Sequence, residues 1–172
     1  GTGQVSWPNP TADESPFLLT TTATNEYGQD SKTWQLTVVR APRIAEVPDV
    51  VLVEGEVYNE SLSLTQGTPP VAWSLTLAPG GMNITSEGIV QWVAPASPGP
   101  FTVTARTENL GGSHTVSWRI DVRVLPAVAS MLDTTIVEGV PYTSATPVLM
   151  RGTPPVTWSL VTGPDGATID PA

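Results

Sequence analysis

The chain holds one histidine, His114, and its neighbours invite a catalytic reading, because Ser113 precedes it and Asp121 follows within the same apolar-alternating run. A serine nucleophile needs a base and an orienting carboxylate converging on one pocket. Three residues strung along one strand do not converge, so no catalytic residue is assigned and the chain is read as not an enzyme. With no cysteine there is neither a disulfide nor a thiolate metal site. The acidic groups Glu54-Gly55-Glu56 and Glu46 with Asp49 could supply oxygen ligands for calcium at a repeat junction. Glu54 has a counterpart further along, Glu138, whereas Glu46 and Glu56 have none, so calcium is an option and no cofactor is assigned. Asn59-Glu60-Ser61 and Asn83-Ile84-Thr85 are sequons, making Asn59 and Asn83 possible glycosylation sites on the surface.

The elements that must position these groups come from composition and repetition. Of 172 residues, 40% are apolar and 13% charged, with 7 Lys plus Arg against 16 Asp plus Glu, a net charge of -9. That balance argues against a nucleic-acid partner, which needs a basic face to neutralise phosphates. No apolar run of bilayer length and no leader-like amino end is present, so direct membrane insertion is not expected and a mature soluble segment is.

The chain repeats itself. Val53-Glu54-Gly55-Glu56-Val57-Tyr58 returns as Val137-Glu138-Gly139-Val140-Pro141-Tyr142, 84 residues later. Gly67-Thr68-Pro69-Pro70-Val71-Ala72-Trp73-Ser74-Leu75 returns at an offset of 85 as Gly152-Thr153-Pro154-Pro155-Val156-Thr157-Trp158-Ser159-Leu160. Gly3-Gln4-Val5-Ser6-Trp7 matches Gly88-Ile89-Val90-Gln91-Trp92, and Asn25, Gly28, Trp34 and Pro42 lie 84 before Asn109, Gly112, Trp118 and Pro126. The six tryptophans, Trp7, Trp34, Trp73, Trp92, Trp118 and Trp158, therefore form three equivalent pairs. A period of this length signals a modular array. It divides the chain into residues 1–41, the second half of a repeat; 42–125, a complete repeat; and 126–172, the first half of another.

Inside the complete repeat, apolar and polar residues alternate over short runs punctuated by Gly, Pro and Asn, the signature of half-buried strands. Val71, Trp73 and Leu75 share one face, as do Phe101, Val103 and Ala105, and Val116, Trp118, Ile120, Val122 and Val124. Glu108-Asn109-Leu110-Gly111-Gly112 reads as a hairpin turn in which Asn and Gly provide positive torsions. About seven strands in one repeat fit a two-sheet sandwich. The six tryptophans are read as core or inter-repeat packing, each worth about 4–6 kcal/mol at most if fully buried.

The order Glu-Gly-x-x-Tyr, Gly-Thr-Pro-Pro-Val-x-Trp-Ser-Leu, Gly-x-Val-x-Trp and Asn-x-x-Gly resembles the Ig-like, dystroglycan-type cadherin-like tandem repeats of large surface proteins. The resemblance implies an all-β chain of Ig-like antiparallel sandwiches in an extracellular fibre, stalk or adhesin, with no chemistry of its own. Its alternative is a glycan- or protein-binding adhesion module working through exposed aromatics. Residues 126–172 joined to residues 1–41 read as one nearly continuous repeat. The expected partners are adjacent Ig-like repeats, head to tail, in one covalent array or between identical chains that complement each other's strands.

Overall fold

The structure is a computed structural model describing residues 1–171, and its described residues contain strands and turns but no helix. Strands β1 (Phe17–Asn25) and β2 (Gly28–Leu36) form a hairpin. Next come β3 (Arg43–Ile44), β4 (Val50–Val53), β5 (Val57–Ser61), β6 (Leu64–Gln66), β7 (Ala72–Leu77), β8 (Asn83–Ile84) and β9 (Ile89–Val93). The long strands β10 (Gly99–Asn109) and β11 (Gly112–Arg123) follow, then β12 (Ala127–Val128) and β13 (Leu149–Arg151).

Two sheets enclose the core. One has the order β4-β11-β10-β7, the other β5-β9-β8, with the short ladder β3-β6 beside them. Val90 and Trp92 from β9 meet Val103, Ala105, Trp118, Ile120 and Val122 from β10 and β11 in a single buried cluster. On β11 the alternation holds: Trp118, Ile120 and Val122 are buried while Ser117, Arg119 and Arg123 face solvent. A two-sheet β-sandwich is thus the architecture the alternation anticipates.

Details depart from expectation. The complete repeat contains nine strand segments, because several sandwich strands are interrupted. One cause is Pro48 between β3 and β4: it has no amide donor to continue the ladder. There the chain leaves β6, its antiparallel partner, and crosses to run parallel to β11, with Ile120 opposite Val50 and Val122 opposite Leu52. The hairpin torsions also come from glycine alone. Among the described residues no non-glycine residue has positive φ, and Gly112 takes φ 142 while Asn109 works through its side chain.

The β1–β2 hairpin copies β10–β11 in register. Leu19 lies opposite Trp34 as Val103 lies opposite Trp118, and Phe17 opposite Leu36 as Phe101 opposite Ile120. The outer faces match as well, with Thr20 Oγ1 2.8 Å from Thr33 Oγ1 and Thr104 Oγ1 2.8 Å from Ser117 Oγ. Trp7 meets the edge of Phe17 at 4.8 Å, and Trp92 meets Phe101 at 5.2 Å. The burial differs. Trp34 and Trp7 are each 41% exposed, whereas Trp118 is 3% and Trp92 4% exposed. In the central sandwich β4, β5 and β7 cover this pattern, while β1 and β2 pair only with each other.

Candidate functional site

A recurring polar arrangement lies where one repeat passes to the next. The backbone N–H of Arg40 donates to Thr68 Oγ1 at 2.9 Å, and the Thr68 N–H returns a bond to the Arg40 carbonyl at 3.1 Å. At the following joint, Val124 N–H donates to Thr153 Oγ1 at 2.7 Å and Thr153 N–H donates to the Val124 carbonyl at 2.9 Å. Both threonines belong to the Gly-Thr-Pro-Pro motif and both partners stand two residues before a linker proline, Pro42 or Pro126. The same two-bond clamp therefore recurs once per repeat.

The glycine of the motif makes the clamp possible. A Cβ on Gly67 would lie 2.8 Å from Pro42 Cα, and one on Gly152 would lie 3.0 Å from Pro126 Cα. Both glycines have positive φ, at 138 and 147. The linker proline is pressed against a backbone that tolerates no side chain, which removes slack at the joint. The prolines that follow, Pro70 and Pro155, are both preceded by cis peptide bonds.

Asn109, from the β10–β11 turn, locks the first joint a second time. Its Nδ2 donates to the Arg40 carbonyl and to the Thr68 carbonyl, each at 2.8 Å, while its Oδ1 accepts from Gly111 N–H at 2.8 Å. A Cβ on Gly111 would fall 2.8 Å from Ala41 N, so the turn packs directly on the linker. A cleft lined by Trp7, Leu36, Val38 and Leu110 lies alongside. At the second joint, Arg151 on β13 forms an ion pair with Glu54 of the preceding sandwich. Sequence reasoning noted the Gly-Thr-Pro-Pro motif, the linker prolines and Asn109 separately. Their common period marked them as parts of one repeat, not as residues in contact.

His114 lies in β11 with Ser113 and Asp121 and the three do not converge. It does not sit on the solvent-facing side of that strand. It shares the inward phase of Val116 and Trp118, is half-buried, and its Nδ1 accepts from Ile44 N–H at 3.2 Å. Asp121 pairs with Arg123 at 2.7 Å. Three of the acidic residues considered for calcium have protein partners: Asp49 Oδ1 accepts from Arg119 N–H, Glu56 accepts from Val53 N–H, and Glu54 is paired with Arg151. Among the described residues no group of three or more His, Asp or Glu is arranged to hold a metal.

Asn59 and Asn83 are both exposed, and each lies opposite Gln91 of β9, so the two sequons border one polar row on the outer sheet face. Of the tryptophans, Trp92 is buried with its indole N–H donated to the Gly80 carbonyl at 3.0 Å, and Trp118 is buried beside Tyr58. Trp73 and Trp158 are half-buried, and Trp73 packs over Gly88. Burial raises the Tyr58 phenol to about 12, helped by the carboxylate of Glu60; the Trp118 indole opposes this, though its N–H has no partner of normal hydrogen-bond geometry.

No family model matches the chain, and no curated protein does. Among solved structures, the titin I-band fragment I67–I69 is similar over 94% of this chain and 60% of that one, at 20% identity and a TM-score of 0.62. Its E-to-A variant gives 19% identity over the same shares, with a TM-score of 0.64. A chain described as a Bacteroides fragilis α-galactosidase matches 49% of this chain at 27% identity and a TM-score of 0.42, and this chain spans 18% of its length. The likeness to three titin Ig domains in series extends beyond one sandwich to nearly the whole chain, and the fold it shows is that of Ig-like sandwiches arranged in tandem.

Proposed function

We propose that this chain is a non-catalytic structural segment of an extracellular fibre, stalk or adhesin, whose Ig-like repeats set length and stiffness. Residues 1–41 act as the second half of one repeat, 42–125 as a complete repeat and 126–172 as the first half of the next. The partners are adjacent Ig-like repeats, head to tail. The observation that carries the reading is the recurrence of the threonine clamp, at Arg40–Thr68 and again at Val124–Thr153, with a glycine pressed on the linker proline each time. A fixed joint repeated with the sequence period transmits orientation along an array, which a collection of independent binding modules does not need. The dystroglycan-type, cadherin-like kinship suggested by the motifs belongs to this reading, with the joint held by hydrogen bonds and an ion pair.

The alternative of a glycan- or protein-binding module draws on the exposure of Trp7 and Trp34. Burial of their counterparts Trp92 and Trp118 favours packing as the role of these positions. Immunogold labelling of intact source cells, with antibody raised to the chain, tests the structural reading. The expected result is label along surface filaments. Label that emerges only after the cells are permeabilised contradicts it.

A further inference from the structure

We infer that His114 is a proton-sensitive latch: its neutral ring ties β3 to β11, and a proton on Nδ1 releases β3 while the sandwich stays folded. The inference concerns residues inside the complete repeat and goes beyond the array reading. β3 is two residues long and pairs with β6 through a shifted register. Past that ladder, the N–H of Ala45 donates to the Ser63 carbonyl at 2.9 Å. β4 joins β11 only from Ile120 onward, and the N–H of Arg119 just before it is taken by Asp49 Oδ1. Among the described residues, the hydrogen bond that joins β3 to β11 is the one from Ile44 N–H to His114 Nδ1, 3.2 Å long. Because β3 follows Pro42 directly, this bond holds the first strand after the joint.

A neutral imidazole offers one nitrogen as an acceptor, whereas an imidazolium donates from both. Once protonated, Nδ1 turns an N–H toward the Ile44 N–H, and two donors face each other. Ile44 is buried in the core, so a backbone donor left without an acceptor there costs free energy until the strand shifts to find water. The tie is therefore present at neutral pH and lost on acidification. Arg43 and Glu46 line the groove beside His114, together with Thr65 of β6, a strand that carries no titratable residue. On β10 the residue opposite is Thr107, and its neighbours Arg106 and Glu108 pair with each other at 2.6 Å. The nearest charged residue on β11 itself is Arg119. Of all these groups, histidine is the type whose charge changes between about pH 5 and about pH 8. The latch belongs to this repeat alone, since the counterpart of His114 is Asp30, which is exposed and pairs with Lys32.

Amide hydrogen exchange of the full chain, followed by NMR with each rate referred to the intrinsic rate at the same pH, tests the latch. Between about pH 7.5 and about pH 5.5, protection of the Ile44 amide is expected to fall roughly fivefold, while that of Ile120 and Val122 stays unchanged. His114→Asn puts a carbonyl acceptor that does not titrate near the place of Nδ1, so Ile44 in H114N should keep its protection across the same range. Nitrogen chemical shifts of the native ring should show Nδ1 without a proton at neutral pH. Ile44 protection that is independent of pH in the native chain, an equal loss in H114N, an equal loss at Ile120 and Val122, or a proton on Nδ1 at neutral pH overturns the inference.

Discussion

Thr107 and Trp118 are the two described residues whose buried polar atoms lack a partner, Oγ1 and Nε1 respectively. A buried hydroxyl without a hydrogen bond costs about 1–3 kcal/mol in lost hydration. Thr107→Val keeps the shape and removes the hydroxyl, so it should stabilise the fold by about 1 kcal/mol, read as a higher denaturation midpoint with an unchanged slope. Tyr58 makes an opposite, pH-dependent contribution. Its phenol is raised to about 12 in the folded protein against an ordinary value of 10.0, so the neutral form is the one the core accepts. The associated stability is intact below pH 10 and is lost as the pH climbs from about 10 to about 12. The loss amounts to about 2–3 kcal/mol. Tyr58→Phe should flatten that stretch of the stability profile, and a profile unchanged by the substitution would contradict the assignment.

Elements were legible in the sequence to the extent that one face of each was buried. Alternation in Phe101, Val103 and Ala105 and in Trp118, Ile120 and Val122 specifies strands because water lies on one side and the core on the other. The parallel course of β4 was not legible. Strand direction depends on which sheet the chain joins after Pro48, a tertiary choice that alternation does not encode. Asn109 illustrates the same limit: its place in the turn was readable, but its bonds to Arg40 of the linker and to Thr68 join residues 69 and 41 positions apart. The clamp itself carries a prediction. Thr153→Ala removes the acceptor of the Val124 N–H and should cost about 1 kcal/mol, seen as roughly fivefold faster exchange of that amide. Buried amides of Ile120 and Val122 should be unaffected, which separates a loosened joint from a weakened sandwich.

At the scale of the molecule, the period was readable from motif spacing, while the meeting of the joint's parts became visible only in three dimensions. The unequal burial of equivalent tryptophans has a direct consequence. Trp118→Ala should destabilise the central sandwich by about 3–5 kcal/mol, the cost of emptying a packed site, while Trp34→Ala should have a much smaller effect in dilute solution. Both costs are read as changes in the denaturation midpoint. The claim beneath all of this is that one fixed joint recurs with the repeat. Amide residual dipolar couplings, compared between the β1–β2 hairpin and the central sandwich, test it most directly. The account predicts that a single alignment tensor fits both. Separate tensors of different magnitude would contradict it.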